Sequence, residues 1–114
     1  MNTLILALIL GNPLLAVTIA VDGKPMVLMV DTGATRSVFR KPIGPLGKVI
    51  EMRSAVGRSM AQECDVDIAG VEIKRAVCRV NLPDGFDGLL GQDFLSQFSS
   101  VTVNYAKRTV TLAK

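Results

Sequence analysis

Histidine and tryptophan are absent from this sequence of 114 residues, and other aromatic residues are scarce, with four Phe and one Tyr. Without histidine, the chain alone cannot build a Ser-His-Asp or Cys-His catalytic centre. It also cannot form a metal site with histidine ligands. These absences remove several common hydrolase and metalloenzyme mechanisms, and we expect neither a metal nor a cofactor.

Charge clusters are lacking as well. The formal net charge is +3, and the basic residues are spread along the chain without a run of five like charges. Nucleic-acid-binding proteins concentrate positive charge on one face, so we do not expect a nucleic-acid partner. No G-x-G-x-x-G motif follows a strand and opens a helix, which argues against nucleotide binding through a glycine-rich loop.

Cysteine is limited to Cys64 and Cys78, too few for a disulfide framework. The favoured interpretation is two small buried hydrophobic residues or spare thiols. A bridge between neighbouring strands is the alternative, and the spacing does not decide between them.

The first 21 residues carry no charge. The stretch TLILALIL is interpreted as a structural strand, with residues 1–13 as an N-terminal arm. The alternatives are a secretion signal within residues 1–16, although no Lys or Arg precedes it, and a membrane anchor. Residues 11–13 (GNP) interrupt the run too early for a span of about 20 apolar residues, so stable membrane insertion is not expected. Localisation stays open.

Short apolar runs separated by turn signals predict an all-β fold in a single domain spanning residues 1–114. The nearly unbroken apolar run 25–30 is predicted to be buried on both faces. The sequence predicts one short helix over 92–98 and a compact barrel or folded sheet. The predicted strands are 14–21, 25–30, 37–39, 48–56, 59–68, 71–80, 100–105 and 109–113, with 57–58 as a turn.

An acid follows the apolar run directly in the stretch VDTGATRSV, residues 30–38. An ordinary interpretation of Asp31 is a turn residue that accepts hydrogen bonds from backbone amides. However, a carboxylate next to a buried strand is costly unless it is hydrogen-bonded or protonated. Thr32 adds a hydroxyl, and Gly33 allows another backbone to approach. The run Leu89-Leu90-Gly91 precedes the helix. Its glycine could pack beneath the loop that begins at Asp31 (the acid loop).

The motif DTGA (31–34), together with FDGLLGQDFL (86–95), resembles the two signatures of the retropepsin-type aspartic proteases over residues 14–98. The resemblance implies a closed β barrel that is active as a C2 homodimer. It also implies that Asp31, Thr32 and Gly33 form the catalytic loop of an endopeptidase. Because the chain has one D-T-G, the second carboxylate must come from a second copy. A non-catalytic peptide-binding or assembly module on the same fold is the alternative.

The hairpin 48–68, with Gly57 at its tip, resembles the flap of this family, and an ordinary surface hairpin is the alternative. A lid of this kind would cover an extended peptide or polyprotein substrate, and release from a larger precursor is one origin for the domain. The candidate substrate-binding residues are Met29, Ala34, Val56, Gly57, Phe86 and Leu89. Of these, Met29, Val56, Phe86 and Leu89 are equally compatible with plain core positions.

Two positions depart from the retroviral pattern. Thr35 and Arg36 stand where those members carry another Asp, and Gln92 stands where they carry Arg. The paired loss predicts that a neutral hydrogen bond replaces an ion pair. The longer C-terminal hairpin is more like cellular and bacterial relatives, which predicts a differently built dimer sheet.

Overall fold

The fold was analysed in a computed structural model that describes residues 3–9, 15–54 and 57–114. These residues form ten strands and one short helix. The strands are β1 (Leu4–Leu8), β2 (Ala16–Val21), β3 (Lys24–Val30), β4 (Val38–Phe39), β5 (Leu46–Ser54), β6 (Gly57–Ile68), β7 (Val71–Cys78), β8 (Gly88–Leu90), β9 (Ser100–Asn104) and β10 (Thr109–Ala113). The helix α1 spans Gln92–Leu95. The predicted all-β class is confirmed.

All ten strands belong to one sheet with the order β5-β6-β7-β4-β8-β3-β2-β1-β10-β9. A further pairing of β2 with β6, through Val21 and Ile68, brings distant parts of the sheet together. The tightly turned hairpin at Asp22 and Gly23 starts this arrangement, since both residues have positive φ and Gly tolerates it. The sheet therefore folds back over its own apolar face.

The core lies between the two parts of the folded sheet and contains mostly aliphatic side chains. Phe94 and Phe98 follow Gly91 and seal the core, with ring centroids 5.3 Å apart. The helix ends at Leu95, three residues earlier than predicted, yet Phe98 stays buried as the helical spacing required.

The first apolar stretch is a strand, as the favoured interpretation required. β1 pairs with β10 from Leu4 to Ala7 and with β2 at Ala7 and Leu8. Alternate side chains of β1 are half-buried and exposed, which is typical of a strand with one covered face. Across the described ranges, no helix has the length and apolarity needed to cross a membrane.

Three sequence predictions are wrong. Within β3 only Leu28 is fully buried, because an apolar run alone does not reveal whether both faces of a strand are covered. Arg58 does not lie in a turn but pairs with Arg53 across β5 and β6.

The third concerns the cysteines. Cys64 on β6 and Cys78 on β7 form a disulfide with Cα atoms 6.0 Å apart, so the favoured interpretation of separate thiols is replaced by the bridge. The strand register explains it, since Cys64 faces Ala76 and Cys78 faces Gln62, which makes the cysteines diagonal neighbours.

Candidate active site

The acid loop begins where β3 ends. β3 runs parallel to β8, and the pairing of Val30 with Leu90 carries directly into a hydrogen bond from the Asp31 amide to the Leu90 carbonyl at 3.0 Å. The Asp31 carboxylate accepts a hydrogen bond from the Gly33 amide through Oδ1 at 3.0 Å. Asp31 is half-buried, whereas Thr32 and Gly33 are exposed. The strand end therefore presents one oriented carboxylate at the surface.

The first residues of α1 hold the acid loop in place through hydrogen bonds. The Gln92 amide donates to the Ala34 carbonyl at 2.7 Å, and the Asp93 amide donates to the Thr35 carbonyl at 3.1 Å. The Gln92 side chain donates through Nε2 to the Thr32 carbonyl at 2.8 Å. The Gln92 side chain thus makes a neutral hydrogen bond, as predicted, but its partner is the Thr32 carbonyl and not Thr35 or Arg36. The backbone groups of the helix start are used to fix the acid loop.

A buried serine forms the second attachment. Ser37 is completely buried, and both its amide and its hydroxyl donate to the Asp93 carboxylate, at 2.8 and 2.6 Å. The Gly91 amide in turn donates to Ser37 Oγ at 3.1 Å. Each buried polar group of this contact is therefore satisfied, and a charged acceptor strengthens two of the bonds.

Gly91 allows the helix to approach this closely. A Cβ atom at position 91 would lie 2.5 Å from the carbonyl carbon and oxygen of Arg36, and 2.9 Å from the Ser37 amide nitrogen. Those distances are far below van der Waals contact, so any side chain would push the loop and the helix apart. The expectation that this glycine permits close packing beneath the acid loop is confirmed.

A cleft of about 510 Å³ opens beside the acid loop, on the side of the β5–β6 hairpin. The loop forms one wall, and β5, β6 and β7 form the others. Its lining residues are Gly33, Ala34, Thr35, Arg36, Val38, Lys48, Ile50, Glu51, Met52, Arg53, Glu63, Arg75 and Val77.

A nearly buried acid organises the charged side of this cleft. Glu63 Oε2 accepts from Arg36 Nη1 at 3.0 Å and from Arg75 Nε at 3.4 Å. Burial by itself would raise the pKa of Glu63, but the hydrogen bond and charge of Arg75, with Arg36 and the charge of Lys48, lower it below its ordinary value of 4.5. Glu63 therefore stays ionised beside the acid loop. Arg36 retains its charge in an ion pair, which the substitution pattern alone did not indicate.

The structure brings some of the predicted site residues together and separates others. Gly33 and Ala34 line the cleft next to Asp31. Met29 and Leu89 are half-buried and pair with each other across β3 and β8, outside the cleft lining.

Phe86 lies in the core, 4% exposed, and its carbonyl accepts from Arg40. Gly57 pairs with Ser54 at the start of β6, and it lines a separate cleft of about 230 Å³. Val56 lies outside the described residues.

Several cleft residues were missed by sequence reasoning. Lys48, Ile50 and Met52 alternate along β5, and that period of two was the signal that they share one face. Arg75 had no such signal, because it lies at a bulge between β6 and β7. Glu63 pairs regularly with Val77 before the bulge, and nothing in the sequence identified the partners of its carboxylate. In the described part of the chain, no group of three potential metal-ligating side chains comes together.

Comparison with known proteins gives two findings. Residues 17–97 match the sequence model of a family described as gag-polyprotein putative aspartyl protease. The chain is also similar to the crystal structure of a retropepsin-like aspartic protease from Rickettsia conorii. That match has 22% sequence identity and a TM-score of 0.63, and it covers 97% of this chain and 89% of that chain. No curated protein matches the chain. At this identity the structural match shows a common fold.

Proposed function

Because this chain belongs to the retropepsin-type aspartic protease family, we propose that it is an aspartic endopeptidase that works as a C2 homodimer. The observation that carries the proposal is the Asp31 carboxylate, which the β3 end and the Gly33 amide orient at the surface beside a cleft. The proposed fold of the active form is the closed barrel of this family, and the β2–β6 pairing supports it.

The proposed mechanism needs two carboxylates. Carboxyl groups held close together cannot both ionise readily, and aspartic proteases are the standard example of a pair that shares one proton. The ionised member takes a proton from a water molecule, which attacks the peptide carbonyl carbon. The protonated member donates to the carbonyl oxygen, and a proton then passes to the leaving nitrogen as the C–N bond breaks. Apparent pKa values of such a pair belong to the pair as a whole.

The second carboxylate is assigned to a second copy of the chain. The nearby acids have other roles, since Asp93 holds Ser37 and Asp87 accepts from the Val27 amide. Within the residues that the structure describes, Oδ2 of Asp31 makes no hydrogen bond to protein, so it is available to water or to a partner carboxylate. A twofold axis beside Asp31 would place each copy against its mate. Thr32, exposed next to it, is proposed to contact the partner loop.

The substrate is proposed to be an extended peptide. It would lie between the acid loop and the β5–β6 hairpin, which would act as the lid. Gly33 and Ala34 would contact its backbone where they line the cleft. Met29, Val56, Gly57, Phe86 and Leu89 remain proposals for pocket walls. Because Phe86 is nearly fully buried and Met29 contacts Leu89, these three would act by shaping the wall.

The test is Asp31→Asn, measured with a fluorogenic peptide library and by sedimentation. We expect a loss of cleavage of about 10²–10⁴-fold or more, with the fold and the dimer retained. The matched control is Asp84→Asn, which removes the same charge from an exposed loop and should cleave normally. Cleavage by the Asp31→Asn protein at an unchanged rate would overturn the proposal, as would cleavage by a monomer. Peptide binding without cleavage by the unsubstituted dimer would instead identify a binding module.

A further inference from the structure

The cleft beside the acid loop carries unequal numbers of positive and negative side chains. Four of its lining residues are cationic (Arg36, Lys48, Arg53 and Arg75), and two are acidic (Glu51 and Glu63). Glu51 already serves two arginines, because Arg53 and Arg58 reach its Oε1 at 3.8 and 3.3 Å. Glu63 is shared by Arg36 and Arg75. The cleft therefore has an excess of positive charge that its own carboxylates do not neutralise.

Hydrogen-bond donors are left over at the same place. Arg36 uses Nη1 for Glu63, and Arg75 uses Nε, although a guanidinium carries five N–H donors. In the part of the chain that the structure describes, Lys48 forms no ion pair within 4 Å, and the remaining nitrogens of both arginines bind no protein acceptor. Arg36 is 40% exposed and Arg75 is 65% exposed, so these donors are accessible from the cleft.

The backbone of β7 is shaped to place Arg75 there. The pairing of β6 with β7 shifts between Cys64 and Val66, and Arg75 has a φ of +64° at this bulge. The Asp65 carboxylate accepts the Arg75 amide at 3.1 Å and so stabilises the bulge. A left-handed conformation is unfavourable for a residue other than Gly, and bulges near active sites redirect side chains. Here the bulge directs the Arg75 side chain to Glu63 at the cleft.

We propose that this cleft binds the side chain of a glutamate in the substrate, close to the scissile bond. The apolar part of the lining, Val38, Ile50 and Val77, would contact its methylene groups, and the spare donors of Arg36, Arg75 and Lys48 would bind its carboxylate. The inference rests on the proposed function and adds a substrate class to it. Because the cleft lining includes Gly33 and Ala34, which follow Asp31 directly in the acid loop, the glutamate is expected near the cleaved bond.

Twofold symmetry adds a second requirement. A C2 dimer has two identical clefts, one on each side of the axis at which the peptide is cut. A good substrate therefore carries one glutamate before the scissile bond and one after it. Either glutamate alone should improve cleavage, and both together should improve it further.

The experiment compares peptides of one sequence with Glu, Gln or Lys at each of the flanking positions. At the best position we expect kcat/KM for Glu to exceed that for Gln by about tenfold, which corresponds to about 1.4 kcal/mol, with Lys the poorest. High salt should reduce the ratio, because the contact is partly exposed. Arg75→Gln and Lys48→Gln should each bring the Glu-to-Gln ratio towards one. Lys74→Gln is the matched control, since Lys74 neighbours Arg75 but does not line the cleft, and it should keep the ratio.

Peptide binding, measured beside cleavage for the unsubstituted protein, separates the two proposals. Equal cleavage of the Glu and Gln peptides at every position, or a preference for Gln or Lys, overturns the inference and leaves the protease function standing. Tighter binding of the Glu peptide without cleavage by the unsubstituted protein overturns the protease function and supports the glutamate site. If the unsubstituted protein neither cleaves nor binds any peptide of the series, both proposals fall.

Discussion

Replacement of Asp93 tests the attachment of the acid loop most directly. The Asp93 carboxylate accepts two hydrogen bonds from Ser37, a residue with no exposed surface. Asp93→Ala leaves a buried amide and a buried hydroxyl without this acceptor. Each loss costs about 1–3 kcal/mol, and water that enters beside the half-buried position 93 would reduce the sum. We therefore expect the free energy of unfolding to fall by about 3 kcal/mol.

The conservative variant Asp93→Asn allows the loss of stability to be graded. The Ser37 amide donates to Oδ2 of Asp93 and the Ser37 hydroxyl to Oδ1, and asparagine replaces one of these two acceptor oxygens with an NH2 group, which is a donor. Asp93→Asn should therefore lower the free energy of unfolding by only about 1–1.5 kcal/mol, less than Asp93→Ala. In a chain of this size, 1 kcal/mol lowers Tm by about 4 °C, so the two variants should differ by several degrees. The measurement is urea and thermal unfolding at one fixed protein concentration, because a dimer gains stability by mass action.

Catalysis should be affected as well as stability. The Asp93 amide holds the Thr35 carbonyl, so a shift of the helix start moves the acid loop. A displacement of about 1 Å at a reacting group costs about 10²-fold in rate, and we expect a loss of that order in kcat/KM for Asp93→Ala. Asp84→Asn, at an exposed loop position, is the control for loss of charge. An unfolding free energy for Asp93→Ala within about 0.5 kcal/mol of the original would show that this contact does not hold the loop.

Two further predictions concern β6 and β7. Replacing Cys64 and Cys78 together by Ser should lower the free energy of unfolding by about 3 kcal/mol, since the bridge joins residues 14 positions apart in the chain. Equal urea midpoints with and without a reductant would contradict this. Arg75 and Arg36 lower the pKa of Glu63 in the folded state, so this group adds stability above its unfolded pKa, and the gain is lost as pH falls through its folded pKa. Urea midpoints from about pH 7 to about pH 3 should therefore fall more steeply for the original than for Glu63→Gln, and parallel curves would refute the assignment.

The acid loop and the glycine before the helix could be predicted from sequence because they depend on local chemistry. Asp31 and Gly91 stand at strand ends where only certain residue types are tolerated, and the structure places them as their types required. Such signals survive because neighbouring residues alone determine them. At Gly33 a Cβ atom would meet only Oδ1 of Asp31, at 3.4 Å, so within the described residues no other backbone makes the close approach to Gly33 that the sequence had led us to expect.

The charged cleft could not be predicted in the same way. Glu63 lies in a strand of mixed composition, and its partners come from two distant places: Arg36 from the acid loop and Arg75 from a bulge that shifts the pairing of β6 with β7. The cysteine bridge depends on the same alignment, and spacing along the chain does not contain it. The prediction that both faces of β3 are buried was wrong for a related reason, since the coverage of a strand face depends on elements far away in sequence.

The bridge between β6 and β7 has a consequence for strand alignment. Side chains alternate between the faces of a strand, so the sulfurs enter the core where their neighbours Glu63 and Val77 face the cleft. A slip by one residue would turn Glu63 inward and carry the sulfurs out of bonding range. Once the disulfide has formed, β6 and β7 cannot keep a misaligned pairing. The covalent bond therefore also fixes the position of the Glu63 carboxylate on the opposite face of the sheet.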